Sequence, residues 1–415
     1  MRIAIIGGGI SGLGAAWLLS FKHEVVLFEK ESRLGGHSHT IDVTVKNKVF
    51  RIDTGFMVMS PRHYPQLTRF FKVREVSLTP AEMSVGFSLE NKTMEYAIPI
   101  GVFADRKNLF RPSFLKMLLE IPRFNKKARL ALTRGISPEE TIDSFLNAER
   151  ISQTFRNLYL YPFASLFWSA PPSTIATFSL ELFLRFFDNH NLLSLKPNGE
   201  WYSITGGSRE YVNKMESDIR NRGAIIHLET PVASVVRKEG RVVISNKSAT
   251  EIFDAVVFGT HADTTLTLLS DADQKEKEIL GSFSYQENIV VAHSDASFMP
   301  KRKNVWATWN FIAEQNRPFL TYFMNGVHRI SKDFPIFVTL NPTREPDPEK
   351  VHGRFLYTHP IHSTNANKAR KRLSELQGKG GAYFCGSYFG FGFHEDAFVS
   401  GIQAAKHIDP ALPDF

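Results

Sequence analysis

The chain opens on a glycine turn that leaves few folds open to it. Ile3-Ala4-Ile5-Ile6 is a short apolar run suited to a buried parallel strand. Gly7-x-Gly9-x-x-Gly12 follows at once, and Ala15, Ala16, Leu18 and Leu19 then open a helix. His23 to Phe28 reads as a second strand, ending at Glu29. Strand, glycine turn, helix, strand and acid, in that order, are the setting in which such a turn grips a dinucleotide. Gly7 permits the tight turn. Gly9 removes a side chain where the backbone must approach a diphosphate. Gly12 lets the helix pack closely on the sheet. The first helical turn, with Ser11 in it, presents free N–H groups and the positive end of the helix dipole to that anion. Glu29, 20 residues after Gly9, can accept hydrogen bonds from both ribose hydroxyls, and its charge disfavours a 2′-phosphate. The turn alone does not separate FAD from NAD.

At 415 residues the chain is too long for one core and is expected to form two packed domains. The N-terminus superficially resembles a signal peptide, but glycines interrupt its apolar run and an acid ends the next strand. No stretch reaches the ~18 apolar residues of a membrane span. The single cysteine, Cys385, excludes an internal disulfide and fits a reducing compartment. A cytoplasmic location is expected, with any membrane contact peripheral and on the inner face. The histidines show no metal-ligand spacing, and no metal is expected.

The charge is unevenly placed. The net charge is +8, and residues 105–134 hold nine bases and two acids, or +7. The rest of the chain therefore carries only +1 (8 − 7). Interleaved leucines and phenylalanines make this segment a basic, amphipathic helix, suited either to an anionic membrane surface or to a solvated face over a buried stripe. It carries no nucleic-acid motif, and nucleic acid is not expected as a partner. Phe is abundant, with 35 copies, which fits an aromatic core or a site for an apolar ligand.

Directly after Glu29 and Lys30 comes Arg33-Leu34-Gly35-Gly36-His37-Ser38. Far downstream, Cys385-Gly386-Ser387 is followed by Gly390-Phe391-Gly392-Phe393-His394-Glu395-Asp396-Ala397 and Ser400-Gly401-x-x-Ala404-Ala405. Both stretches resemble the flavin-containing amine oxidase superfamily, which includes protoporphyrinogen oxidases and phytoene-type desaturases. The resemblance implies FAD as cofactor and an α/β fold. It implies a Rossmann-like FAD-binding domain of the glutathione-reductase type, with a parallel sheet and a β-meander, into which an α+β substrate domain is inserted. The expected boundaries are 1–60, 200–265 and 375–415 for the FAD domain, and 61–199 and 266–374 for the substrate domain. It further implies that Arg33 neutralises the diphosphate and that Gly35, Gly36, His37 and Ser38 pass close to the flavin. Asp53-Thr54-Gly55-Phe56 resembles the next flavin-lining turn, and Val232 matches a residue whose backbone meets adenine. Gly386, Ser387, Phe393, His394 and Ala397 belong to the turn and helix end that meet the flavin's pyrimidine edge.

The longer matches DTGFMV, FWSAPP, LRFFDNHNLL, WYSITGGSREYV and CGSYFGFGFHEDAFVSG are similar to a bacterial group of FAD-dependent oxidoreductases encoded beside cyclopropane-fatty-acyl-phospholipid synthases. That resemblance implies a fatty-acyl or lipid substrate and a lipid methyltransferase as partner. The family's amine oxidases usually hold a lysine near the flavin, yet Tyr285–Val291 contains none. The expected chemistry is therefore hydride transfer from an apolar substrate to the flavin, a desaturation or dehydrogenation. Amine oxidation and a flavin-bound, non-catalytic role beside the methyltransferase are the alternatives. His394, and after it Glu395, are the candidate acid/base groups. Trp168 and His190 are candidates for lining the substrate cavity.

Overall fold

The structure is a computed structural model that describes residues 1–99, 101–194, 199–314 and 317–414, with the backbone alone at 317. The N-terminal motif folds as its spacing demands. Arg2–Ile6 is a strand, Ile10–Leu19 a fully buried helix and Glu24–Phe28 a parallel strand beside the first. Five strands form the parallel sheet, in the order Ala382–Phe384, Ala255–Phe258, Arg2–Ile6, Glu24–Phe28, Ile225–His227. The three inner strands are buried and apolar over Ile3–Ile6, Val25–Phe28 and Ala255–Phe258, because helices or the meander cover both sides. The meander is Val232–Lys238, Arg241–Asn246 and Thr250–Phe253. Its first turn is Glu239-Gly240, both at positive φ (54° and 72°), the pairing that matches the strands' twist.

A seven-stranded sheet forms the second layer. Its order is Val351–Pro360, Tyr285–His293, Phe337–Leu340, Arg317–Phe323, Trp309–Glu314, Val85–Leu89, Met94–Ile98. All its pairs are antiparallel except Trp309–Glu314 with Val85–Leu89. Helices Pro112–Arg134, Tyr161–Trp168 and Leu180–Asn189 pack their phenylalanines on this sheet, and Phe87, Phe114, Phe124, Phe155, Phe163, Phe183 and Phe187 share one buried cluster. Most of the phenylalanine excess is thus core.

The segment after residue 60 departs from expectation. Helix Pro65–Val73 was expected with the inserted part, but Leu67, Phe70 and Phe71 pack in the cluster that holds Trp17 and Phe398 beside the parallel sheet. Its amphipathic pattern is the same in either place, so sequence alone could not assign it. In the same way Ile279, Ala366 and Leu373 join the cluster over the sheet's other face.

The C-terminal helix His394–Ile408 closes the dinucleotide fold by lying on the N-terminal helix. Contact is through glycine. A Cβ on Gly401 would stand 2.0 Å from the Ser11 carbonyl oxygen, and one on Gly14 would stand 3.1 Å from the Phe398 ring. Gly401→Ala must push the helices apart and is expected to cost about 1–3 kcal/mol, read as a lower denaturation midpoint. An unchanged midpoint would show that the helices do not depend on this close approach.

Candidate functional site

The glycine turn builds its own cradle. Gly7, at φ 97°, turns the chain off the first strand. A Cβ on Gly12 would lie 1.9 Å from the Gly7 carbonyl oxygen, so helix and turn touch backbone to backbone. Gly259, ending the strand Ala255–Phe258, closes the other side, its own Cβ position 2.8 Å from the Gly12 Cα. Gly9 is different: nothing lies within 4 Å of where its Cβ would point. The first-turn N–H groups carry no side-chain cap, which leaves them for an anion. Glu29 sits where the second strand ends and is 8% exposed. Its Oε2 accepts from the Gly8 N–H at 2.6 Å and its Oε1 from the Glu31 N–H at 2.9 Å. The carboxylate therefore stitches the turn to the strand end. Thr230 N–H donates to the Glu29 carbonyl at 2.8 Å, which brings Val232, at the start of the meander, beside it.

The second glycine pair lies against the first turn. Gly9 and Gly35 form an isolated parallel bridge, and a Cβ on Gly36 would stand 3.2 Å from the Gly9 Cα. Gly35 and Gly36 both have positive φ. Arg33 is half-buried and donates to the neighbouring Leu34 carbonyl, with no carboxylate partner among the described residues. Lys30, in contrast, is exposed and lies 3.6 Å from Glu31. Thr54 and Phe56 N–H groups donate to the carbonyls of His39 and His37, both at 2.9 Å, and a Cβ on Gly55 would stand 2.3 Å from the His37 carbonyl oxygen. Asp53, ahead of that turn, is fully buried and structural. It accepts from Thr40 Oγ1 at 2.6 Å and from the Ser208 N–H at 2.9 Å, tying in the Gly206-Gly207 turn.

At the far end Gly386 is held by Ser400, whose Oγ accepts from the Gly386 N–H at 2.9 Å. Ser387 opens the following turn, and its carbonyl accepts from Gly390 and Gly392. Ala397 is buried, its N–H donating to the Phe393 carbonyl at 3.1 Å. Asp396, which the sequence analysis gave no role of its own, organises the loop. Its Oδ2 accepts from the N–H groups of Phe391 (3.0 Å) and Phe393 (2.9 Å). A Cβ on Gly390 would fall 2.1 Å from Asp396 Oδ1. Burial pushes the Asp396 carboxyl up to about 6, opposed by those N–H groups and by the Arg370 charge.

The two acid/base candidates occupy positions of another kind. Glu395 turns away to cap the helix Pro65–Val73, accepting from Gln66 and Leu67 N–H at 2.8 and 3.0 Å. With both oxygens engaged it is a clamp between segments rather than a free acid. The His394 ring stacks on Phe56 at 3.9 Å, and its Nε2 lies 3.0 Å from Ser38 Oγ and 2.5 Å from Tyr211 Oη. Burial holds the imidazole down at about 3, so it is neutral and braced. Tyr211 was not singled out individually from sequence, and no local signal marks it.

Histidines from both layers cluster at the glycine run. His37 lies 5.0 Å from Tyr357, 5.2 Å from His359 and 6.3 Å from His261, ring to ring. Desolvation lowers His37 and His261 to about 4 and His359 to about 3, so all three are uncharged at neutral pH. The His359 tautomer follows from the backbone. Asn341 Oδ1 accepts from the Ile289 N–H at 2.9 Å, so its Nδ2 donates to Asn288 Oδ1 at 2.7 Å. Asn288 Nδ2 must then donate to His359 Nδ1, at 2.8 Å. The neutral ring therefore carries its proton on Nε2. Asn288 lies in the stretch where the amine oxidases' lysine was sought. No local signal marks Asn288, which follows Gln286 and Glu287 and whose burial depends on partners distant in sequence.

Beyond these, Phe393 stacks on Phe186 at 4.7 Å and lies 5.9 Å from His190 and 6.5 Å from Trp168. His190 packs on Phe186 at 4.0 Å and on His63 at 4.5 Å. These rings form a largely buried aromatic cluster with no carboxylate among these contacts. The Trp168 Nε1 and both His63 nitrogens are buried without a hydrogen-bond partner among the described residues.

A family model for flavin-containing amine oxidoreductases matches residues 10–323. The chain belongs to that family. It is an FAD-dependent oxidoreductase, and its residues fit the cofactor: an open face at Gly9, uncapped helix N–H groups, an unpaired Arg33 and an unpartnered His37 Nε2. Among solved structures, the fold is similar to a CLA-producing fatty acid isomerase from P. acnes, with a TM-score of 0.71, 16% identity and 98% of each chain covered. It is equally similar to cyclohexylamine oxidase from Brevibacterium oxydans, with a TM-score of 0.71, 15% identity and 98% of each chain. At those identities the likeness is one of fold. A stretch of 43 residues is 51% identical to bilirubin reductase of Mediterraneibacter gnavus, covering 10% of this chain and 7% of that protein. Another of 61 residues is 46% identical to a Methanocaldococcus jannaschii protein, covering 15% and 14%. The chain thus matches only a small part of the length of these curated relatives.

Asp396 gives the site a pH signature. Its folded value, about 6, lies above the ~3.9 of an unfolded aspartate, so the folded form binds the proton more tightly. The ionised carboxylate costs stability above pH 6, on the order of 2–3 kcal/mol, and that cost disappears as pH falls through 6 toward 4. Asp396→Asn keeps a carbonyl acceptor for the loop N–H groups. The difference in unfolding free energy between the two proteins should therefore change with this slope between pH 4 and 7. A difference independent of pH would contradict the assignment.

Proposed function

We propose that the protein dehydrogenates an apolar substrate, an acyl chain of a fatty acid or lipid, with FAD as the hydride acceptor and the accompanying proton released to solvent. The observation that carries this is the aromatic cluster of Trp168, Phe186, His190 and Phe393, beside uncharged histidines, with the Asp396 carboxylate engaged by backbone N–H groups rather than left for an ammonium group. A cationic amine would have to shed its hydration there with nothing to replace it. An acyl chain gains by leaving water, at about 0.8 kcal/mol per methylene. The likeness in fold to a fatty acid isomerase is consistent with such a ligand.

When bound, FAD supplies the oxidising power. The chain's own residues do the rest. Gly9 and the uncapped first turn take the diphosphate, with Arg33 as its counter-charge. The Asp396-braced loop sets Phe393 against Phe186 and so shapes the aromatic cluster. His359 holds a proton on Nε2 and offers it as a hydrogen-bond donor, its tautomer fixed through Asn288 and Asn341.

The test is anaerobic mixing of the purified holoprotein with candidate substrates. Fatty acyl chains or phospholipids should bleach the flavin's visible absorbance within the mixing experiment, while putrescine and cyclohexylamine should not. Bleaching by the amines alone would overturn the reading and return the protein to amine oxidation.

A further inference from the structure

The basic segment was expected to be helical, and it is: Arg106–Phe110 is a short 3₁₀ turn and Pro112–Arg134 a helix of 23 residues. Its two acids face inward. Asp105 is buried and paired with Arg302 at 3.2 Å, and Glu120 is buried and bonded to Ser152. Its outward bases are another matter. Arg106, Lys107, Lys116 and Lys126 are exposed and have no ion pair among the described residues. Between them stand large apolar side chains in water. Phe110 is 86% exposed and Leu119 77%, with Leu109 and Leu115 less so. On the helix, positions 115, 119, 126 and 130 fall on one side at 3.6 residues per turn, opposite the buried Phe114, Met117, Phe124 and Ala128.

Isolated exposed leucines need no explanation, but this set coincides with the chain's concentration of unpaired positive charge. A solvated helix would carry its bases without Phe110 and Leu119. An apolar protein groove would not need four free cations. Anionic lipid satisfies both: headgroup phosphates meet the bases, and the rings and isobutyl groups enter the acyl boundary. We propose that residues 103–130 dock the protein flat on an anionic membrane surface. No helix among the described residues is long and apolar enough to cross a membrane, so the contact is interfacial. The opposite face of the same helix packs on Leu180–Asn189, the helix that supplies Phe186 to the aromatic cluster. Docking therefore stands on the surface alone. Only the idea that it also delivers substrate rests on the dehydrogenase reading.

The experiment is co-sedimentation of the holoprotein with vesicles of phosphatidylcholine, with and without phosphatidylglycerol, at low and high salt. Binding should rise at least tenfold with the anionic lipid and fall at 0.5 M salt. The double variant Phe110→Ser/Leu119→Ser, and separately Lys116→Gln/Lys126→Gln, should each lose severalfold. Flavin absorbance and circular dichroism, unchanged in both, exclude misfolding. Equal binding to neutral vesicles, or wild-type binding by both double variants, would overturn the proposal, as would docking on an acidic protein in place of vesicles. The readout needs no turnover, so its failure is distinct from failure of the lipid dehydrogenase reading.

Discussion

The two ends of this chain meet through backbone, not side chains. Gly401 brings the last helix onto Ser11 of the first, and Gly12 brings the first onto the Gly7 turn and Gly259. No larger residue fits at these points without moving a helix. Because interiors are packed without slack, that closeness fixes where the start of the last helix stands relative to the glycine turn. Everything at the site inherits this placement. The loop from Gly390 to Phe393 is then locked by Asp396, and Ser38 and Tyr211 brace His394 from below.

From that frame the chemistry follows by subtraction. The dinucleotide side is built of glycine, N–H groups and one free arginine, which suits an anionic cofactor. The opposite side is aromatic, with histidines that burial keeps neutral. The acyl substrate proposed above rests on that division. The outer helix repeats the division on a larger scale, with cations and exposed apolar groups together on one surface and a packed aromatic core beneath.

Much of the dinucleotide half was legible in sequence. Gly7, Gly9, Gly12 and Glu29 form a local pattern, and local patterns survive folding because the residues concerned are neighbours in the βαβ unit. The Arg33–His37 run and the Gly386–Gly401 stretch were read through their resemblance to the flavin-containing amine oxidases. What was not legible depends on partners far along the chain. Glu395 caps a helix at Gln66, 329 residues away. Asn288 sets His359 across two strands, and Tyr211 reaches Ser38 and His394. The helix Pro65–Val73 has an apolar stripe that would serve in either half, and only its contacts assign it. Asp396 stood next to two better-looking candidates, and nothing in spacing distinguishes a carboxylate that caps a loop from one that moves a proton.

Gly9→Val is the most direct measurement of the central claim, that the open face at Gly9 is where the cofactor's diphosphate lies. The backbone there is extended (φ −69°, ψ 174°) and its Cβ direction is empty of protein, so valine can be accepted by the fold while filling the cradle. Titration of apoprotein with FAD, followed by absorbance and fluorescence, should show one FAD per wild-type chain and at least a hundredfold weaker binding in the variant, at an unchanged unfolding midpoint. Wild-type affinity for FAD in a folded Gly9→Val protein would contradict the account.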